Sequence, residues 1–128
     1  MKYMLDTHAF LWAIEAESNL SQAVREAIRD ERNDVFLSIA SLWEIAIKVS
    51  LRKLHLESTF LSLATELPIA FGLTPLEITP QHLDIVSRLP LHHRDPFDRL
   101  LVAQCLVEDM PILSNDAALD AYGVERIW

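Results

Sequence analysis

Short apolar segments alternate with helix-start signals along this chain, and that alternation restricts the fold more than any other feature of the sequence. Segments 2–5, 35–37, 73–78, 112–113 and 126–128 have the length and composition of short strands. We expect three or four of them to form a sheet. Strands separated by helices pair in parallel, because the crossover returns the chain to the same end of the sheet. The sequence therefore predicts an α/β fold with a short central parallel sheet.

Capping residues mark where the helices begin. Thr79-Pro80 and Asp95-Pro96 each join a capping side chain to a proline at the first helical position. Either Ser38 or Ser41 is expected to cap the helix that follows the second strand. The predicted helices cover residues 7–16, 22–30, a segment from the Ser38 or Ser41 cap to about 52, 58–71, 80–89, 96–108 and 116–122.

The composition predicts one domain and a partner surface. The 128 residues contain no linker, repeat or low-complexity segment, so we expect residues 1–128 to form a single domain. The longest apolar run, residues 9–14, is far shorter than the roughly 18 residues of a membrane span. Because 51% of the residues are apolar, we expect exposed apolar surface and a homodimer. The single cysteine, Cys105, lies in an apolar segment, which predicts a buried thiol and a cytoplasmic location.

The acidic net charge limits how the chain could act on nucleic acid. A charge of −8 argues against a broad basic face that binds phosphates. It is compatible with an enzyme that reaches nucleic acid through bound cations, since four acids in one site would account for half of that charge.

Four acids are placed so that they could share such a site. Asp6 directly follows the first predicted strand and Asp116 closely follows the fourth. Ligands bind beyond the carboxyl ends of parallel strands, so both acids are expected at one rim of the sheet. Glu44 and Asp98 each lie about one turn into a predicted helix. Carboxylates packed together need a cation or protons to offset their repulsion, and oxygen-only ligands favour Mg²⁺ or Mn²⁺ over Zn²⁺. Such sites commonly serve phosphoryl chemistry.

Each acid also has a structural interpretation. Glu44 could complete a capping box with Ser41, Asp98 could complement a helix dipole, and Asp116 could be an N-cap. The chain would then be a non-catalytic binding module. Asp6 fits this interpretation least well, because it follows a buried strand in a segment that stays apolar. A phosphatase with Asp6 as nucleophile is disfavoured, since that chemistry typically wants a second Asp where the chain has His8.

Four stretches in order resemble the PIN-domain family, and specifically the VapC-type toxins of bacterial toxin–antitoxin pairs. They are residues 4–8 (MLDTH), 41–48 (SLWEIAIK), 92–104 (HHRDPFDRLLVAQ), and 113–116 (LSND) followed by 121–124 (AYGV). Two departures are His8, where many of these toxins have Asn, and Ser114-Asn115-Asp116, where the motif often reads Thr-x-Asp. Neither removes a carboxylate.

The resemblance implies a three-layer α/β/α PIN-like domain that hydrolyses RNA phosphodiesters by metal-activated water. It implies Mg²⁺ or Mn²⁺ as cofactor, an antitoxin protein as partner, and a homodimer. The catalytic and metal-binding acids would be Asp6, Glu44, Asp98 and Asp116.

Further polar residues in these motifs are candidates for lesser roles. Lys48 could contact substrate or form an i,i+4 ion pair with Glu44. Arg99 could contact the scissile phosphate or pair with an acid, and Phe97 is expected in the core. The candidate supporting residues are Thr7, Ser114, Asp95 and Arg99. The candidate substrate contacts are Lys48, His93 and Arg94. The alternative for His93 and Arg94 is that they belong to an exposed loop without a role in binding.

Overall fold

The computed structural model of the protein describes residues 1–128 and contains five strands and seven α-helices. The strands are β1 (Lys2–Leu5), β2 (Asp34–Ser38), β3 (Leu73–Leu76), β4 (Ile112–Leu113) and β5 (Arg126–Ile127). The helices are α1 (Thr7–Glu15), α2 (Gln22–Arg29), α3 (Ile39–Ser50), α4 (Phe60–Thr65), α5 (Leu67–Ala70), α6 (Pro80–Arg88) and α7 (Pro96–Glu108), with 3₁₀ helices at Glu17–Asn19 and Ala117–Tyr122.

All five strands form one parallel sheet in the order β3-β2-β1-β4-β5. The predicted α/β/α fold with a short central parallel sheet is thereby confirmed. The expectation of three or four strands was too low, because β4 and β5 pair over only two residues each, and such short strands carry almost no periodicity. The central position of β1 brings its carboxyl end between those of β2 and β4, where the chain leaves the sheet for α1.

Alternate side chains of the strands enter two separate cores. Leu5 of β1 and Leu113 of β4 pack with Phe10 and Val24 from α1 and α2 on one face of the sheet. Met4 of β1 and Ile112 of β4 pack against α7 on the opposite face. Because successive side chains of a strand point to opposite faces, one short sheet can serve as the middle of three layers. None of the helices has the length and apolar character that a membrane crossing requires.

Two helix predictions need correction. The helix expected over residues 58–71 is interrupted, with α4 ending at Thr65 and α5 beginning at Leu67. Pro68 lies in the first turn of α5, where its missing N–H costs nothing, whereas inside a continuous helix it would break the hydrogen-bond ladder. The segment before Gly123 is a 3₁₀ helix.

Candidate metal centre

Asp6 is a buried carboxylate that joins three elements of the fold. It caps α1, with Oδ1 accepting the Ala9 N–H at 2.9 Å. Its Oδ2 accepts a hydrogen bond from the hydroxyl of Ser114, at the end of β4, and that hydroxyl accepts the backbone N–H of Asp116. Burial raises the pKa of Asp6, although the hydrogen bonds from Ser114 and Ala9 act against it. Ser114 therefore supports Asp6 directly, as its place in the motif suggested.

Glu44 is also buried, and its structural interpretation as part of a capping box is wrong. Ser38 caps α3 by accepting the Ala40 N–H at 3.0 Å, so Glu44 lies in the second turn of the helix. Its Oε2 is 2.9 Å from Nζ of Lys48, which is the expected i,i+4 ion pair. Its Oε1 is buried and has no hydrogen-bond partner.

A hydroxyl contact fixes the first turns of α1 and α3 against each other. Thr7 Oγ1 donates to Ser41 Oγ at 2.9 Å, and both side chains are buried. The hydroxyl of Thr7, expected to orient Asp6, instead holds α1 to α3, the helices that follow Asp6 and carry Glu44.

Asp98 lies in the first turn of α7, beside its N-cap. Asp95 accepts the N–H groups of Phe97 and Asp98, as the capping prediction required. Burial, together with the charges of Asp95, Glu44 and Asp6, raises the pKa of Asp98 to about 7, although His93 acts against them. These interactions bring three of the four candidate acids into one electrostatic cluster.

His93 connects the fourth acid to this cluster. Its Nε2 lies 3.2 Å from Oδ2 of Asp116 and 3.3 Å from Oδ2 of Asp98. Asp116 is the N-cap of the 3₁₀ helix, with Oδ1 accepting the Ala118 N–H, so its capping interpretation is confirmed. Ligand atoms of His93, Asp98 and Asp116 lie within 4.8 Å of one another, close enough to share an ion.

The loop that carries His93 is held by Tyr122, a residue the sequence analysis did not select. The hydroxyl of Tyr122 accepts the backbone N–H groups of His92 and His93 at 3.1 and 2.8 Å. Arg99 also donates to this hydroxyl. The AYGV segment is part of the resemblance, but nothing in its local pattern indicates a contact 29 residues away.

The other predicted side chains have different surroundings. Arg99 donates to the backbone oxygens of Val86, Leu89 and Pro90, so the prediction that it pairs with an acid is wrong. Arg99 lies in α7 against the end of α6, where it can bind these oxygens because the last carbonyls of a helix lack partners within the helix. Arg94 is exposed and makes no ion pair.

Phe97 belongs to neither core, contrary to expectation. Its ring instead meets that of Trp43 edge to face at 5.0 Å, beside Glu44.

The donor set fits a hard divalent cation. Asp6, Glu44, Asp98 and Asp116 offer carboxylate oxygens, which Mg²⁺ and Mn²⁺ prefer. Oε1 of Glu44 is buried without a hydrogen-bond partner, and because buried oxygens are rarely left so, it is suited to bind a cation. A cation would also offset the repulsion that raises the pKa of Asp98.

Comparisons with known proteins agree with this architecture. The sequence profile described as PIN domain matches residues 3–125. The fold is similar to VapBC2 from Rickettsia felis, solved bound to a DNA fragment from the promoter, with TM-score 0.74, 16% identity, and coverage of 99% of this chain and 98% of that chain. It is also similar to VapBC-1 from nontypeable Haemophilus influenzae (TM-score 0.70, 11% identity, coverage 99% and 97%) and FitAcB from Neisseria gonorrhoeae (0.68, 15%, 98% and 96%). No curated protein matches the sequence.

Proposed function

This chain belongs to the PIN domain family, and from that premise we propose that it is a Mg²⁺- or Mn²⁺-dependent endoribonuclease. The observation that carries the proposal is that the charges of Asp6 and Glu44 act on Asp98, which His93 connects to Asp116, while one buried oxygen of Glu44 has no hydrogen-bond partner. Such convergence has an electrostatic cost without a cation, so it is difficult to explain by helix capping alone.

The four acids would bind the cation in different ways. Asp6 and Asp116 come from the rim of the sheet and would be direct ligands, through oxygens on the side away from their capping contacts. Glu44 and Asp98 would bind directly or through water. When bound, such a cation supplies Lewis acidity to a phosphodiester and to the attacking water.

The cationic side chains define where the RNA backbone would approach. Lys48 lies against Glu44 with a third of its side chain exposed, so its ammonium group could exchange this partner for a phosphate oxygen. Arg94 is exposed on the loop beside His93 and is not committed to any acid. With a chain charge of −8, these two cations are the natural contacts for phosphates flanking the site.

We also infer that the chain is the toxin of a toxin–antitoxin pair. The inference rests on the resemblance of the motifs to VapC-type toxins and on a fold shared with the VapBC2 and VapBC-1 structures. A basic residue of the antitoxin, placed among the four acids, would bring opposite charge into a poorly solvated cluster.

A homodimer is supported by an apolar stripe along α3. Ile39, Trp43, Ile47 and Leu51 recur every four residues on one side of the helix. Three of them are exposed, by 39%, 56% and 58% for Ile39, Trp43 and Leu51. A stripe of this length on the outside of a helix favours association with a second apolar surface.

The test of the enzymatic proposal is cleavage of single-stranded RNA with Mn²⁺, Mg²⁺ or EDTA. We expect cleavage with either metal and none with EDTA. Asp6→Asn should abolish cleavage while keeping the circular dichroism spectrum of the fold. Asp84→Asn, which removes an exposed carboxylate of α6, is the matched control and should cleave normally.

Failure would take a recognisable form. If the wild-type chain takes up no Mn²⁺ in a calorimetric titration, the acids are structural and the chain is a binding module. If Asp6→Asn cleaves at the parental rate, the site assignment is wrong.

A further inference from the structure

We propose that His93 is a positioning residue, which holds Asp98 and Asp116 together through a single Nε2–H group and remains outside the coordination shell of any cation bound there. The metal-related half of this inference rests on the proposed function. The half that concerns the imidazole itself rests on hydrogen bonds within the chain.

The first step is the protonation of the ring. The backbone N–H of Asp95 donates to Nδ1 of His93 at 3.1 Å. A nitrogen that accepts a hydrogen bond carries no proton, so the ring is the neutral tautomer with its proton on Nε2. A proton on Nδ1 would point at the Asp95 N–H and expel it.

The second step is the destination of the Nε2 proton. Nε2 faces two carboxylate oxygens at nearly equal distance, 3.2 Å to Asp116 and 3.3 Å to Asp98. The N–H donates to Asp116, whose contact has hydrogen-bond geometry, and its positive end also faces the Asp98 oxygen. It draws together two acids that come from different elements, α7 and the loop after β4.

The third step excludes the ring as a metal ligand. A cation needs the lone pair of Nε2, and freeing it would move the proton to Nδ1 against the Asp95 N–H. Histidines that bind metal do the reverse, since they donate the other ring N–H to a carboxylate or carbonyl. His93 has no N–H left to donate once Nε2 is used, and its neighbours Asp98 and Asp116 are the better ligands for Mg²⁺.

The backbone around the ring makes this geometry rigid. Tyr122 fixes the N–H of His93, and the N-cap of α7 begins two residues later at Asp95. The ring therefore has anchors on its backbone, on Nδ1 and on Nε2. An orientation fixed at three points is typical of residues that set the positions of others.

The tautomer of His93 can be determined without an activity assay. In the metal-free protein near pH 8, ¹⁵N NMR of the histidine rings should show His93 with Nδ1 unprotonated and Nε2 protonated. The signal is assigned by its absence in His93→Gln. Addition of Mg²⁺ should leave Nε2 protonated. Protonation of Nδ1 in the metal-free state, or loss of the Nε2 proton on adding Mg²⁺, would overturn the proposal.

Two variants test the positioning role through Mn²⁺ affinity, measured by calorimetry. His93→Leu removes the donor and should weaken binding by about tenfold, the usual effect of losing an outer-shell partner. His93→Gln places an amide N–H near the position of Nε2 and should restore most of the affinity. His55→Leu, which removes an exposed histidine outside the cluster, is the control and should bind like the parent.

The outcomes separate this inference from the proposed function. Tighter Mn²⁺ binding by His93→Leu would mean that the ring competes with the cation, and failure of His93→Gln to restore affinity would mean that the donor is not what matters. Either result overturns the positioning role. If the wild-type protein binds no Mn²⁺ at all, the proposed function fails, whereas the tautomer measurement still decides the state of the ring.

Discussion

Replacement of Asp98 by Asn should stabilise the metal-free protein, and more so at high pH. The pKa of Asp98 is raised from 3.8 to about 7 in the folded chain, chiefly by burial and then by the charge of Asp95. The folded state therefore holds its proton more tightly than the unfolded state does. The free energy of unfolding falls as the pH rises from about 4 to 7, and the loss is complete above that window.

The size of the effect follows from the two pKa values. At about 1.4 kcal/mol per tenfold change in affinity, the interval from 3.8 to about 7 corresponds to roughly 4 kcal/mol. The side chain is 23% exposed, so solvent screening reduces the expected value to about 2–3 kcal/mol at pH 8. Near pH 5 the ionisation of Asp98 lowers the free energy of unfolding by only about 1 kcal/mol. Asn carries no charge at either pH, so this destabilisation is absent from the variant.

Urea unfolding in EDTA at pH 5 and pH 8 measures this difference. We expect Asp98→Asn to gain about 1–2 kcal/mol more at pH 8 than at pH 5. The interaction with His93 is already included in this expectation, because His93 is one of the groups that set the pKa of Asp98. Asp84→Asn, an exposed control on α6, should show no such pH dependence. An equal effect of Asp98→Asn at both pH values would refute the reasoning.

Three further predictions concern the loop, the dimer and the partner. Tyr122→Phe removes an acceptor shared by three donors and should lower the free energy of unfolding by about 1–3 kcal/mol in urea melts; an unchanged midpoint would show that water replaces it. Trp43→Glu places a charge in the apolar stripe of α3 and should give a 14.6 kDa monomer by sedimentation equilibrium, whereas we expect the parent to sediment as a dimer. An antitoxin peptide that inserts a basic residue should bind more weakly in excess Mn²⁺, and replacing that residue with Ala should remove the dependence. Equal binding at every Mn²⁺ concentration would mean that inhibition is steric.

The layered fold was predictable because its signals are local. Apolar strand segments and N-caps such as Thr79 and Asp95 are set by residues within one helical turn, and both caps form as expected. The errors arose where local signals conflict. The apolar residues around Pro68 favour one continuous helix, but the proline divides the segment into two helices, α4 and α5. Ser38 and Ser41 are both good caps, and burial of Ser41 against Thr7 leaves only Ser38 for that role.

The chemistry of the site was predictable only in part. The chain order of the acids and the strand ends indicate one rim, and the structure brings Asp6, Glu44 and Asp98 into a single electrostatic cluster. The partners that hold them come from distant parts of the chain. His93 and Asp116 are 23 residues apart, and Arg99 turns to the carbonyls after α6. Such pairings depend on how loops pack, which no local pattern encodes.

A structural role and metal binding are not exclusive alternatives, because a carboxylate has two oxygens and can serve both. Oδ1 of Asp6 caps α1 while Oδ2 faces Ser114, and Oδ1 of Asp116 caps the 3₁₀ helix while Oδ2 faces His93. The capping bond to one oxygen fixes the carboxylate plane and so sets the direction of the other oxygen. Glu44 has no such capping bond, and its Oε1 is buried without a hydrogen-bond partner. If these two acids bind the proposed cation, the carboxylates of Asp6 and Asp116 would each both begin a helix and serve as a ligand. A purely structural interpretation of their sequence positions would then be correct and incomplete.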